Sequence, residues 1–201
     1  TLDEALKERI IFSGAFVTSP QGFFRNALLD VFQNSPDNSE SKKISLRTLG
    51  AVAHKFKDDD PELAQEILSQ FSSYKEKAST VDEKMAFIDA LGNTHLDGSL
   101  TYLESYTEKS EPLNVRMLAI GTIAGIDSEK ALNIAANKME NASEPQIVGV
   151  GLETLLRKDW KNCSEKSKNK MMLLADYLMA KYKNDENIRE MAYKLQQKFL
   201  K

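Results

Sequence analysis

LNVRMLAIGTIAGI, residues 113–126, decides the fold of this chain, because it is almost uncharged in a protein where 28% of the residues carry charge. Only Arg116 interrupts it. The run is far shorter than the roughly 20 apolar residues that a membrane-spanning helix needs, and it lacks the period-two alternation of a half-buried strand. Its glycines, Gly121 and Gly125, follow no predicted strand, as a phosphate-binding loop would require. The stretch therefore predicts a buried helix with helices packed on more than one side.

The composition excludes several classes of function. The 201 residues carry a formal charge of −3, which gives no general attraction to nucleic acid or to an anionic membrane. Cys163 is the only cysteine, so no intrachain disulfide and no thiolate metal cluster can form. His54 and His95 are the only histidines, and neither has a second metal ligand nearby in sequence. We therefore expect no metal site, no cofactor and no catalytic residue, and a protein that is not an enzyme.

Apolar residues recur at helical spacing along the chain, as at Leu63, Ile67 and Phe71. Helix starts are predicted where a capping side chain precedes proline or an acidic residue, as at Asp60, Ser110 and Ser143. The pattern predicts an all-α fold with about eleven helices. Their bounds are roughly 2–15, 20–33, 40–57, 61–76, 81–92, 97–107, 112–125, 128–140, 144–158, 165–183 and 185–200.

The connections between these helices are short, which predicts antiparallel neighbours. The longest loop runs from Asn34 to Ser39 and contains Pro36. We expect one α-helical repeat domain over residues 1–201, in which this loop, 34–39, joins an N-terminal hairpin, 1–33, to the rest.

Four segments repeat one pattern of small and apolar residues: SLRTLG (45–50), FIDALG (87–92), AIGTIA (119–124) and GLETLL (151–156). Their register residues Leu49, Leu91, Ile123 and Leu155 are separated by 42, 32 and 32 residues. Two helices and two turns fit this period, and one such hairpin cannot bury its apolar face alone. The repeat predicts an α-solenoid, or superhelix, of about five antiparallel helix pairs.

The small residues in these rows, Thr48, Ala90, Thr122 and Thr154, are expected to let neighbouring helices approach closely. We assign the ten or so extra residues of the first interval to a lengthened second helix around residues 73–76 and to its loop.

The repeat resembles the HEAT family of α-solenoids, which are armadillo-like. The resemblance rests on Pro112, Val115-Arg116, Ala119-Ile120 and Ile123, with Ala90-Leu91-Gly92 one repeat earlier. In that family the arginine reaches an acidic residue in a ladder between repeats, so the resemblance implies a structural role for Arg116. Lys84 holds the equivalent place in the preceding repeat, and Val148 holds it in the next.

Residues 45–158 are also similar to the helical domain of vitellogenin-type large lipid transfer proteins. The matching segments are Thr48 to Lys55, Ala90 to Asn93, Ser99-Leu100, and Val115 to Ile120. In that family the superhelix wraps around and supports lipid-binding β-sheets. The resemblance implies a lipid-associated protein.

Three other features are candidates for a site. The run Asp58-Asp59-Asp60 has the residues of a helix cap and lacks the spaced ligands of a calcium loop. Glycines at 121, 125, 149 and 151 are expected to permit close helix contacts. A basic segment beside Trp160 has three interpretations: a solvated helix start, a contact for an anionic partner, or a nucleic-acid site like that of HEAT-like DNA glycosylases. Its lysines are Lys161, Lys166, Lys168 and Lys170.

The leading hypothesis is a non-enzymatic scaffold that binds a protein partner on a concave face. The second helices of the pairs, near 61–76, 97–107, 128–140 and 165–183, would line this face. The alternative is the helical domain, or a small relative, of a vitellogenin-like lipid-transport protein. Neither hypothesis includes a nucleic-acid partner or a transmembrane segment.

Overall fold

The computed structural model describes Ser13 and residues 22–36, 39–161 and 163–200. Within these residues all regular structure is helical, which confirms the predicted all-α fold. The ten described α-helices are α1 (Gly22–Asn34), α2 (Glu40–Phe56), α3 (Pro61–Lys75), α4 (Val81–Thr94), α5 (Leu100–Ser105), α6 (Leu113–Gly125), α7 (Glu129–Asn141), α8 (Pro145–Arg157), α9 (Glu165–Lys181) and α10 (Glu186–Gln197).

Most helix bounds agree with the predicted ones to within two residues. The helix predicted over 2–15 lies outside the described residues. The helix predicted over 97–107 is divided into a 3-10 turn, Asp97–Ser99, and the short α5. The buried hydroxyl groups of Thr94 and Ser99 lie 2.6 Å apart, and Thr94 Oγ1 also accepts from the Leu96 amide. These bonds hold a tight turn where the sequence pattern indicated a continuous helix.

One predicted helix cap is confirmed and two are wrong. The Asp60 carboxylate accepts the Leu63 amide at 3.0 Å, so Asp60 caps α3. Ser110 and Ser143 do not cap, because α6 and α8 begin after Pro112 and Glu144, and neither of these makes a side-chain capping bond. The Ser143 hydroxyl donates instead to the Glu144 carboxylate at 2.7 Å. This carboxylate is also bonded to a neighbouring helix, as described below.

Backbone contacts divide the chain into two compact units, Thr1–Tyr102 and Leu103–Lys201. In unit 1, α2 packs along α4, the helix two further along the chain. The register residues Leu49 and Leu91 of these two helices are fully buried. Helices α1 and α3 meet through aromatic rings, with Phe32 centred 6.4 Å from Phe71 and 5.9 Å from Tyr74. Each of the helices α1 to α4 therefore has a partner two helices away in the chain.

Unit 2 repeats this relation. Helix α8 packs against both α6 and α10, and we refer to these three helices as the first row. Helix α7 packs against α9, and we refer to these two as the second row. The register residues Ile123 and Leu155 are fully buried in the first row. The repeat seen in the sequence thus falls on helices that contact one another within each unit. The prediction of one domain over 1–201 stays a prediction.

The extra residues of the first repeat interval lie only partly where we expected them. Helix α2 continues to Phe56, seven residues beyond Leu49, whereas α6 ends at Gly125, two residues beyond Ile123. Helix α3, with 15 residues, is only two residues longer than α7. The first helix of the pair therefore holds five of the ten extra residues, and the second helix with the loop 76–80 that follows it, where we expected them, holds four.

Candidate partner-binding face

Two large apolar side chains on α9 are open to solvent. Leu173 is 70% exposed and Tyr177 is 46% exposed. They are four residues apart, so they lie on one face of the helix. Lys170 lies three residues before Leu173, and Lys181 lies four residues after Tyr177. Both lysines are therefore on the same face of the helix, and the apolar pair lies between two cations. We call Leu173 and Tyr177 the apolar pair.

The start of α9 is tied to the start of α7. The Lys166 ammonium lies 2.6 Å from the Glu129 carboxylate, and Lys170 donates to Asn133 Oδ1 at 2.8 Å. The Glu129 carboxylate raises the pKa of Lys166 above its ordinary value through this hydrogen bond. Side chains of the basic segment therefore join the two helices of the second row.

The end of α9 closes the C-terminus of α7. Lys181 donates to the carbonyl oxygens of Glu140 and Ala142 at 2.7 and 2.8 Å, and the Tyr182 hydroxyl donates to Ala142 at 3.0 Å. The last carbonyl oxygens of a helix have no N–H donor within the helix, so donors from a neighbouring helix stabilise that end. With ties at both ends, the apolar pair lies on a helix whose position relative to α7 is fixed.

The Arg116 side chain behaves as the HEAT resemblance implies. Its Nη1 donates to Glu144 Oε1 at 2.8 Å, which joins α6 to the start of α8 in the next pair. Arg116 and the Ser143 hydroxyl, both donating to this carboxylate, lower the pKa of Glu144 from 4.5 to about 2. The carboxylate is therefore ionised at any physiological pH, and the predicted link between pairs is confirmed in unit 2.

A basic residue occupies the Arg116 position in both earlier repeats. Lys42, Lys84 and Arg116 each lie seven residues before the register residue of their helix. Lys42 is buried, donates to the Ser35 carbonyl at 3.2 Å, and lies 5.4 Å from the centre of the Phe32 ring. Sequence analysis identified Lys84 but missed Lys42, although counting back from Leu49 would have found it. In the fourth repeat the equivalent residue is Val148, which is fully buried, so the series of basic residues ends there.

Charge pairing also joins α2 and α4 in a way that the sequence analysis missed. Arg47 Nη2 lies 3.2 Å from Asp89 Oδ2, and Arg47 Nε donates to the same oxygen at 3.2 Å. The two residues occupy the third position of their respective repeat rows. The opposite charges of Arg47 and Asp89 at equivalent positions of consecutive repeats could have predicted this ion pair.

The basic segment is largely paired within the chain. Besides Lys166 and Lys170, Lys168 lies 2.6 Å from Glu165 in the first turn of α9. Trp160 is buried, donates its indole N–H to the Leu155 carbonyl at 3.0 Å, and packs edge-on against Phe199 at 4.8 Å. These contacts favour the interpretation of a solvated helix start, with Trp160 as a packing residue.

The two histidines lie close together, although they are 41 residues apart in sequence. The rings of His54 and His95 are 4.5 Å apart, at the end of α2 and just after α4. His95 adopts the left-handed backbone conformation, with φ of 48°. Among the described residues no cluster of three or more side chains could hold a metal ion. Cys163 is half-buried, and burial raises the pKa of its thiol.

One of the four predicted glycines, Gly151, lies at a close helix contact, and the other three lie at ordinary van der Waals distance from the neighbouring helix. A Cβ on Gly121 would lie 3.4 Å from Val150 and 3.6 Å from Thr154 Oγ1, and one on Gly125 would lie 3.7 Å from Thr154 Cγ2. A Cβ on Gly149 would lie 3.7 Å from side chains of α10, whereas one on Gly151 would lie under 3.0 Å from Met139 Sδ on α7. Ala90 is confirmed as a small residue at a close helix contact, since a Cβ on Gly50 would lie under 3.0 Å from its carbonyl oxygen, whereas Thr154 lies at ordinary contact distance from α6.

No protein-family model matches this chain, and a search of curated proteins finds no match. The HEAT and vitellogenin resemblances stay expectations. In the described part of the chain, every helix is too short or too polar to cross a bilayer.

Proposed function

We propose that this chain is a non-enzymatic α-solenoid scaffold, and that the second row of unit 2 binds a protein partner through the apolar pair on α9. The observation that carries the proposal is the exposure of Leu173, at 70%, in the middle of a helix that is fixed at both ends. An apolar side chain of this size in water gains free energy when a partner covers it.

The contacts of α9 favour binding without rearrangement. Lys166 and Lys181, near its two ends, bind α7. A surface that is already ordered loses little conformational entropy when it binds, so more of the contact energy contributes to affinity. Tyr177, whose hydroxyl lies 3.4 Å from the Glu140 carbonyl, adds an aromatic ring to the same surface, and tyrosine is enriched at binding hot spots.

The partner that this face fits is an amphipathic helix. Such a helix presents apolar residues at spacings of three and four, which matches the spacing of Leu173 and Tyr177. The flanking cations Lys170 and Lys181 would favour acidic residues at the edges of the bound helix. Their ammonium groups contact α7, so their contribution is smaller than that of the apolar pair.

Affinity purification with three forms of the protein tests this proposal. Leu173→Glu removes the apolar contact, and Tyr193→Glu is the matched control, because Tyr193 is 53% exposed but lies on α10 in the first row. We expect a protein that binds the native chain and Tyr193→Glu, and that is lost with Leu173→Glu. The binding must then be reproduced with the purified partner. Equal capture by all three forms, or equal loss with both variants, contradicts the proposal.

The same purification addresses the alternative of a lipid-associated protein. Lipid extraction of the purified complex, followed by mass spectrometry, reports any bound lipid. Lipid that copurifies with the native chain and with Leu173→Glu alike, in the absence of a protein partner, would favour the lipid-transport alternative over the scaffold.

A further inference from the structure

The ends of α2 and α4 bring the two histidines of the chain together in unit 1. His54 lies in the last turn of α2 and is exposed, and His95 directly follows α4 and is half-buried. The centres of their rings lie 4.5 Å apart. Two imidazole groups are therefore accessible to solvent at one place on the surface of unit 1.

This separation matches two imidazoles bound to one metal ion. A bond from zinc to a histidine nitrogen is about 2.0–2.1 Å long. The ring centre lies roughly 1.1 Å behind that nitrogen, so two rings on one ion, at bond angles of roughly 90–110°, have centres about 4.5–5.2 Å apart. Each ring has two nitrogens, so an ion needs one from each ring and leaves the other to a hydrogen bond. The exposed His54 side chain can change rotamer and turn a nitrogen towards an ion shared with His95.

The direction of the two helices favours a cation at this place. Arg47 pairs with Asp89 at 3.2 Å, and further along both helices His54 meets His95, so α2 and α4 run parallel. Their C-terminal ends thus lie together at the histidines. The last carbonyl groups of a helix carry partial negative charge, and two adjacent C-termini attract a positive ion.

The charged residues next to the histidines in the chain have the same sign preference. Within the segments 54–60 and 94–98, aspartates outnumber lysines: the aspartates are Asp58, Asp59, Asp60 and Asp97, and the lysines are Lys55 and Lys57. The Lys55 ammonium lies over the Phe56 ring, 6.0 Å from its centre. The net charge of these two segments is negative, which favours binding of a cation.

The backbone at His95 does not itself require a histidine. Its φ is 48°, and it is the only residue with a positive φ in the described part of the chain. Glycine and asparagine are the usual residues in this conformation just after a helix, although histidine also tolerates it. The ending of α4 therefore does not explain the imidazole, and a ligand role does.

We propose that His54 and His95 together bind one divalent transition-metal ion of the class of Zn²⁺, which links the end of α2 to the end of α4. Imidazole nitrogen suits Zn²⁺, Cu²⁺ and Ni²⁺, whereas Mg²⁺ prefers oxygen ligands. The two rings are the ligands from the described residues, and water completes the coordination. The site lies in unit 1, and it does not depend on a partner binding to the apolar pair on α9. The expectation of no metal site rested on sequence spacing, which does not show that α2 and α4 bring the rings together.

Nuclear magnetic resonance of the imidazole groups tests the proposal, because the chain has only two histidines and their ring signals are readily assigned. The full chain, without an affinity tag, is titrated with zinc chloride, and magnesium chloride is the control. Imidazole binds a metal as the neutral ring, so the titration is made at about pH 7.5. We expect Zn²⁺ alone to shift the ring signals of both histidines along one saturating curve, with one ion per chain. Absence of saturation, a shift of one histidine only, or an equal shift with Mg²⁺ overturns the proposal.

Two variants and a control provide a second readout. His54→Gln removes one imidazole, and His95→Asn removes the other but keeps a residue that tolerates the left-handed conformation. We expect each variant to weaken zinc binding at the remaining ring by about tenfold or more. Cys163→Ser is the matched control, because Cys163 is the only cysteine and thiolates also bind zinc. It should bind zinc as the native chain does.

Unchanged zinc affinity in either folded histidine variant, or lost affinity in Cys163→Ser, contradicts the assignment of the two ligands. The titration of the native chain decides the proposal even if a variant does not fold.

Discussion

The α2–α4 contact in unit 1 and the α6–α8 contact in unit 2 join equivalent helices of consecutive repeats by different means. At the first contact, Gly50 lies directly against the backbone of Ala90, and the ion pair Arg47–Asp89 is partly exposed. At the second contact, Gly121 leaves ordinary van der Waals space to Val150. Here the main polar link, from Arg116, is buried on the arginine side.

The comparison shows that the same helices of consecutive repeats pack together in both units, although the contact that stabilises this packing differs between the units. Close backbone approach supplies dispersion contacts that tolerate no added atom. A buried ion pair tolerates small shifts but depends on the charge of both partners. The two contacts should therefore respond to different perturbations, and the predictions below separate them.

The largest effect is expected for Gly50→Ala. A Cβ at this position would lie under 3.0 Å from the Ala90 carbonyl oxygen, closer than real Cβ contacts come. Because this oxygen belongs to backbone, α2 and α4 must move apart, and we expect a loss of about 3 kcal/mol in the free energy of unfolding. Urea denaturation of the native chain and the variant measures this loss of unfolding free energy.

Gly149→Ala is the matched control for that substitution. Gly149 lies inside α8, and its added Cβ would meet Ile188 and Met191 at 3.7 Å, which is ordinary contact. Alanine has the higher helix propensity, so we expect a gain of about 0.5–1 kcal/mol. If Gly50→Ala proves as mild as Gly149→Ala, the close backbone approach between α2 and α4 does not exist in solution.

Lys158→Met should produce the next largest effect, in the α6–α8 contact. The Lys158 side chain is 3% exposed, donates to the Ile126 carbonyl at 3.1 Å, and pairs with Asp127. Methionine keeps the buried stem but removes the donor at the end of α6, and we expect a loss of about 2 kcal/mol in urea denaturation. A loss under about 0.5 kcal/mol, typical of a surface pair, would mean that the ammonium stays hydrated.

Arg116→Met should produce a loss of stability that depends on pH. The pKa of Glu144 is lowered from 4.5 to about 2 in the folded chain. The stabilisation linked to this carboxylate is therefore complete above about pH 4.5 and is lost as the pH falls towards 2. We expect the difference in unfolding free energy between native chain and variant to shrink over that range.

Urea denaturation at pH 7, 4.5, 3 and 2 measures this difference, and Glu144→Gln provides the check from the other partner. Both variants should converge with the native chain at the acid end. A difference that is unchanged at pH 2 would show that Arg116 acts through packing rather than through its ion pair.

Arg47→Ala should produce the smallest effect. Both side chains of the Arg47–Asp89 pair are more than a third exposed, and exposed pairs contribute little because water and salt screen them. We expect a loss of about 0.5 kcal/mol, which falls at high salt. A loss as large as that of Lys158→Met would remove the distinction between the two contacts.

Periodicity was sufficient to predict the helices because each one buries an apolar stripe, and the repeat rows predicted which helices touch. Features that depend on spatial neighbours were not predictable in the same way. Glu144 directly precedes α8 but bonds to Arg116 rather than capping its own helix, and His54 meets His95 only because α2 and α4 pack together.

The candidate face was predicted only as a region. The helix near 165–183 was expected to contribute to it, but the exposure of Leu173 could not be read from a segment in which neighbouring Met171 and Leu174 are buried. The lysines of the basic segment pointed to an anionic partner as one interpretation. Their contacts with Glu129 and Asn133 depend on the packing of α9 against α7, which the local sequence does not contain.

The central claim is that the helices carrying the rows of consecutive repeats touch within each unit, and nuclear Overhauser effects test it most directly. We predict cross-peaks from the Gly121 α-protons to the Val150 methyl groups, and from the Gly50 α-protons to the Asn93 β-protons, since the underlying atoms lie in contact. If both sets are absent while the cross-peaks within each helix are present, the helices form but do not stack in the register of the repeat, and the account is wrong.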